Sequence, residues 1–147
     1  MRQLLDPPHK FERNFSVKGG DFAAAGEIAS KVKKILMQLG LAAEVIRRIA
    51  VAVYEAELNI VIHAFEGEIV LRVDLDKVIL IARDSGPGIK DIALAMQEGY
   101  STASEEARRM GFGAGMGLPN MQRCSDQLVI YSETGKGTTV TMTFDLG

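Results

Sequence analysis

Glu55-Ala56-Glu57-Leu58-Asn59-Ile60-Val61-Ile62-His63-Ala64 is the stretch on which the reading of this chain turns. Upstream of it and within it, Val45, Ile49, Ala52, Ala56, Ile60 and His63 fall close to one stripe at helical spacing. That spacing predicts a helix over residues 43–64 lying across a sheet. Glu55 and Asn59 are four apart, so they point the same way, about 40° from each other around the axis. They flank the apolar stripe, where packing can hold a side chain that still reaches a pocket beside the helix. A carboxylate can take a proton from water or a hydroxyl, and a neutral amide oxygen suits Mg²⁺, a hard ion that keeps several waters. Alone, such a pair is a common surface feature. Its meaning depends on the rest of the chain.

Working outward, Asp6-Pro7-Pro8 marks an irregular lead-in, and Phe11, Phe15 and Val17 suggest a first strand ended by Gly19-Gly20. Ile28, Val32, Ile35, Leu36 and Leu39 predict an amphipathic helix over 21–39, with Asp21 placed to cap its start and Gly40 its end. Beyond the second helix, β-branched runs at 68–74 and 78–83 read as an antiparallel hairpin through Leu75-Asp76-Lys77. A short helix is expected at 91–97, a lid without a steady apolar period at about 98–115, and helical spacing again at 116–126. A closing hairpin, 128–132 with 138–144, turns at Gly135-Lys136-Gly137. This order predicts an α+β two-layer sandwich, a mixed, mostly antiparallel sheet covered on one face by helices. With 147 residues the whole chain reads as one domain.

Two further motifs carry chemistry. Asp84-Ser85-Gly86-Pro87-Gly88-Ile89 sits where a strand ends. It reads as an ordinary turn, or as a pocket mouth where a carboxylate accepts from an exocyclic amine, such as that of adenine, and glycines let backbone approach a flat ring. Gly111-Phe112-Gly113-Ala114-Gly115-Met116-Gly117-Leu118 runs straight into a helix. Its backbone N–H groups and the helix dipole suit an anion, and a triphosphate is the natural guest. G-x-G-x-x-G does not occur in the segment in any register. G-x-x-x-x-G-K-[ST] also fails, because Ile130 and Gly137 stand where that pattern needs Gly and Ser or Thr.

The composition is 47% hydrophobic and 24% charged with a net charge of −2, which favours neither a nucleic-acid surface nor a polybasic membrane patch. One cysteine, Cys124, cannot form an internal disulfide, and neither a signal peptide nor a membrane-spanning run is evident. A cytoplasmic protein is expected.

Taken in order, Glu55-x-x-x-Asn59-x-x-x-His63-Ala64, Asp84-x-Gly86-x-Gly88-Ile89, Gly113-x-Gly115-x-Gly117-Leu118 and Gly137-Thr138 resemble the motifs of the GHKL superfamily, whose ATP-binding domain has the Bergerat fold. The resemblance covers roughly residues 45–145. A stand-alone domain of this length looks like the bacterial anti-sigma-factor serine kinases. Gln97-Glu98-Gly99-Tyr100-Ser101-Thr102 and Asn59-Ile60 are similar to the stressosome switch kinase.

The resemblance implies ATP and Mg²⁺ as cofactors, with Glu55 as general base and Asn59 as Mg²⁺ ligand. It makes Asp84 the adenine reader, with Gly86 and Gly88 beneath the ring and Thr138 supporting the adenine end. Gly113, Gly115, Met116, Gly117 and Leu118 would shape the lid over the phosphates. It further implies serine/threonine phosphotransfer to a STAS-domain antagonist, regulation of a sigma factor or other effector, and a homodimer as a common state among relatives. A nucleotide-gated binding module with little catalysis is the alternative. Many relatives carry a basic residue three after the Asn, where this chain has Ile62. Arg108 and Arg109 in the lid stand either as charge stabilisers or as a solvated pair. His63 is expected to be a packed, hydrogen-bonded histidine, and Met121 to fill the core.

Overall fold

The computed structural model describes residues 11–97 and 117–147. Strand β1 (Phe11–Lys18) leads through a 3₁₀ turn (Phe22–Ala24) to helices α1 (Glu27–Gln38) and α2 (Ala43–His63). The hairpin β2 (Glu66–Val73) and β3 (Lys77–Ser85) follows, then the one-turn α3 (Ile92–Ala95). After the undescribed segment come α4 (Gly117–Cys124), β4 (Gln127–Glu133) and β5 (Gly137–Asp145).

The α+β sandwich is present, and its sheet is more regular than the mixed one expected: the order is β1-β2-β3-β5-β4 and every pairing is antiparallel. The connections explain this. Two helices, not one, intervene between β1 and β2, so the chain re-enters the sheet reversed. Tight turns join β2 to β3 and β4 to β5. The long β3-to-β4 connection delivers β4 to the far edge, and β5 returns between them.

Register aligns Phe15, Ile69, Ala82, Val140 and Ile130 in one row across the sheet, and Leu71, Leu80, Met142 and Leu128 in the next. These rows pack against Val32 and Leu36 of α1, Ile49, Ala52, Val53, Ala56 and Ile60 of α2, and Met121 of α4. Met121 is fully buried, as expected. The period-2 alternation sends Arg72, Arg83, Thr139, Thr141 and Thr143 to the other face, where Arg72 pairs with Glu12 at 2.9 Å and Arg83 with Glu68 at 2.7 Å.

Helix α1 begins later than Asp21 suggests. The 3₁₀ turn and the extended Ala25 delay it, its N-cap is Gly26 at φ +99°, and Asp21 makes no side-chain cap. The cap comes from another helix: the buried Glu57 of α2 accepts from Ile28 N and Ala29 N, both at 3.3 Å. The other end is a Schellman motif, with Gly40 at φ +81°, Gly40 N donating to Met37 O and Leu41 N to Leu36 O.

Helix α3 is shorter than the 91–97 expected, though Asp91 caps it by accepting from Leu94 N at 3.0 Å. Helix α4 stops before Asp126 because Asp126 N donates instead to Thr143 O of the sheet. Among the described residues, no helix is long and apolar enough to cross a membrane.

Candidate functional site

On α2, Arg48, Glu55 and Asn59 share one stripe, since seven and then four residues return nearly the same angle. Helix α4 lies along that stripe in the opposite direction. At its start, a Cβ on Gly117 would come within 3.2 Å of Asn59 Oδ1, so the bare glycine is what lets the helix end approach the amide. One turn on, Asn120 Nδ2 donates to Glu55 Oε2 at 2.8 Å, and Arg123 donates to Asn120 Oδ1. At the far end, Arg48 Nη1 donates to Cys124 O at 3.0 Å, a cation on the last carbonyls of α4. Pro119 lies in the first turn of α4, where its missing N–H costs no helix bond.

Glu55 and Asn59 are half-buried, as their place beside the apolar stripe suggests. His63 is not the packed, hydrogen-bonded histidine expected. It closes α2 with its side chain exposed overall, although enough protein surrounds the ring for desolvation to lower its pKa.

The second part of the site lies where β3 ends. Thr138 N donates to Asp84 Oδ1 at 3.2 Å, which fixes the carboxylate and leaves its other oxygen available to a ligand donor. Burial raises the Asp84 pKa and the Thr138 N–H opposes that rise. Thr138 is itself buried, its hydroxyl 2.9 Å from Ser132 Oγ, which in turn accepts from Ile89 N at 2.7 Å. The 84–89 loop and the β4–β5 turn are therefore one hydrogen-bonded unit, closed by Gly135 N donating to Pro87 O.

Its glycines are required by contacts within the protein. A Cβ on Gly88 would sit 2.6 Å from Glu133 O, and one on Gly137 would sit 2.0 Å from Asp84 O. A Cβ on Gly86 would sit 3.0 Å from Ala64 Cα, at the end of α2. This links the Asp84 loop to the helix that carries Glu55 and Asn59.

Asn59, Gly117 and Glu55 thus converge, and Asp84, Thr138, Gly86 and Gly88 form a second group joined to the same helix. Leu118 is buried in the core beside Met121. Gly113, Gly115 and Met116, with the lid at 98–115, Arg108 and Arg109, lie outside the described residues. Sequence reasoning missed Asn120 and Glu57. A polar side chain one turn past Gly117 was a usable signal for Asn120. The i, i+2 offset of Glu57 from Glu55 puts it on the opposite side of α2, where an acidic residue needs buried donors.

The donor set fits a nucleotide with a hard cation. Among the described residues no cluster of three or more His, Cys, Asp or Glu could hold a metal. A single amide oxygen is what a Mg²⁺ that keeps waters and phosphate oxygens asks of a protein. A fixed carboxylate at one end and a glycine-started helix at the other match an amine-bearing base and its phosphates.

A fold of this kind with such a site defines an ATP-binding domain of the histidine kinase type. The model of the histidine kinase-like ATPase domain matches residues 21–144, and the chain belongs to that family. It is similar to the anti-sigma F factor of Caldanaerobacter subterraneus, 41% identical over 115 residues, covering 75% of this chain and 77% of that protein. The anti-sigma F factor of a Thermoanaerobacter species is 36% identical over 148 residues, 97% of this chain and 98% of its own. The serine/threonine-protein kinase RsbT of Bacillus subtilis is 33% identical over 124 residues, 82% of this chain and 85% of its own.

Proposed function

We propose that this protein is an ATP-dependent serine/threonine kinase of a bacterial partner-switching pathway. On this reading it phosphorylates a small STAS-domain antagonist and thereby regulates a sigma factor or another effector. The observation that carries the reading is the Glu55–Asn59 pair on one face of α2, with the glycine-started helix α4 against it.

Asp84 accepts from the adenine amine through the oxygen that Thr138 leaves available. The N–H groups at the start of α4 receive phosphate oxygens. Asn59 Oδ1 is the protein ligand for Mg²⁺, which supplies charge neutralisation on the phosphates when bound. Glu55 takes the proton of the acceptor hydroxyl as that oxygen forms its bond to the γ-phosphorus. The bond from the γ-phosphorus to the bridging oxygen breaks, and ADP leaves with that electron pair. Positioning and electrostatics do most of the work.

A second reading is a nucleotide-gated module that captures an effector with little chemistry. Ile62 favours it, since an apolar side chain stands there in place of a basic one, and so do the names of the anti-sigma F relatives. Incubation with ATP and a STAS-domain partner separates the readings. Acid-stable label on a serine or threonine of that partner supports the kinase, acid-labile label would mean histidine phosphorylation, and ATP-dependent capture without label would mean the binding module.

A further inference from the structure

Glu55 is held by one described donor, and that donor sits on the helix that begins at the phosphate end of the site. Asn120 Nδ2 donates to Glu55 Oε2 at 2.8 Å while Asn120 Oδ1 accepts from Arg123. The two bonds fix the amide in one orientation, since only its nitrogen can serve the carboxylate and only its oxygen the guanidinium. Arg123 is one turn beyond Asn120 on the same face of α4, so the relay is built into a single helix. Among the described residues no other hydrogen-bonds Glu55, which leaves Oε1 for an acceptor proton.

The helix that carries this relay is anchored along α2 at three levels, by Gly117 against Asn59, Asn120 against Glu55 and Cys124 O against Arg48. Asn120 is three steps along the helix from Gly117, a rise of about 4.5 Å with no rotatable link between them. An anion on the first turn of α4 would therefore rest on the same rigid helix as the donor to Glu55. Arg123 adds positive charge behind the amide and strengthens its N–H as a donor.

We propose that Asn120, supported by Arg123, is the positioning residue of the phosphotransfer site, fixing Glu55 Oε2 so that Oε1 faces the acceptor hydroxyl and tying that aim to the seating of phosphate on α4. The proposal rests on the kinase reading given above. Asn120 touches Glu55 and acts through it.

The test is a double-mutant cycle on the full chain with ATP and a STAS-domain acceptor. Asn120→Leu is expected to lower kcat for transfer by about 10- to 100-fold, the cost of a misplaced group, with KM for ATP nearly unchanged. In a Glu55→Ala background the same substitution is expected to change the residual rate by less than about twofold, because a residue acting through Glu55 has nothing left to position. Equal losses in the two backgrounds, or a rise in KM with kcat intact, overturn the proposal.

Arg48→Met is the structural control. It releases another anchor of α4 without touching Glu55 and is expected to lower Tm, with a fall in kcat well below that of Asn120→Leu. If it reproduces the kcat loss of Asn120→Leu, Asn120 is merely an anchor. A readout independent of turnover is the side-chain amide signal of Asn120 in ¹H–¹⁵N spectra. It is expected to move upfield in Glu55→Ala, and an unmoved signal overturns the contact. If the signal moves but the wild-type chain labels no acceptor, the kinase reading falls and takes the positioning role with it, while the Asn120–Glu55 contact stands.

Discussion

Two carboxylates of this chain, the half-buried Asp84 and the buried Glu57, are raised by desolvation in different surroundings, and each gives a measurable signature. Asp84 is raised above the ordinary aspartate range, mainly by desolvation, while the Thr138 N–H works in the other direction. Its proposed task needs the ionised form as acceptor, so adenine affinity is full above the raised pKa and falls as pH drops through it. Titration calorimetry with ATP from neutral pH downward is expected to show weakening that starts above the usual aspartate range. Asp84→Asn is expected to cost about 10- to 100-fold in ATP affinity, because an amide N–H would then face the adenine amine. An unchanged affinity in that variant would remove Asp84 from the adenine site.

Glu57, only 2% exposed, is raised by desolvation against the opposing hydrogen bonds from Ile28, Ala29 and Gly26. Its folded pKa lies above its unfolded one, so between the two the folded state holds the extra proton. Stability is therefore greatest below the unfolded pKa and declines as pH rises through the folded value. Denaturant unfolding across that window is expected to show this slope in the wild type and not in Glu57→Gln. Glu57→Ala, which strips the first turn of α1 of its acceptor, is expected to cost about 1–3 kcal/mol.

At the scale of the element, the unit made by the 84–89 loop and the β4–β5 turn depends on backbone passing very close to backbone. Gly137, at φ +143° with Asp84 O where a Cβ would be, has no tolerated replacement. Gly137→Ala is expected to destabilise by more than about 1–3 kcal/mol and to weaken ATP binding through Asp84 and Thr138. Gly135, at φ +83° with open space around it, is the contrast. Gly135→Asn is expected to leave thermal unfolding close to wild type, since Asn tolerates the left-handed region.

These elements also show what sequence could and could not give. Strand and helix positions were legible because side-chain period reports directly on burial, as in the row from Phe15 to Ile130 and the stripe from Ile49 to Ile60. Glu55 and Asn59 were legible because four residues on a helix define a direction. The start of α1 was not, since its cap is Glu57, twenty-nine positions away from Ile28 in sequence and joined to it only by packing. Asn120 escaped for the same reason: nothing local in Leu118-Pro119-Asn120-Met121 announces that its partner is a carboxylate on another helix. The glycines at 86, 88 and 137 were recognised as special, while the partners that require them, Ala64, Glu133 and Asp84 O, belong to other segments.

For the molecule as a whole, one sheet face carries the helices, and α2 joins the two halves of the site. It meets Gly86 through Ala64 at its C-terminal end and α4 along its middle. The Asp84–Thr138 group and the Glu55–Asn59 group are thus both joined to one helix. The family match over residues 21–144 includes both groups. The measurement that bears most directly on the proposed kinase is single-turnover transfer of the γ-phosphoryl group from saturating ATP to a STAS-domain acceptor, wild type against Glu55→Ala. The account predicts phosphoserine or phosphothreonine on the acceptor, formed about 10²- to 10⁴-fold more slowly by the variant while ATP affinity is retained. Equal rates from the two proteins would contradict it.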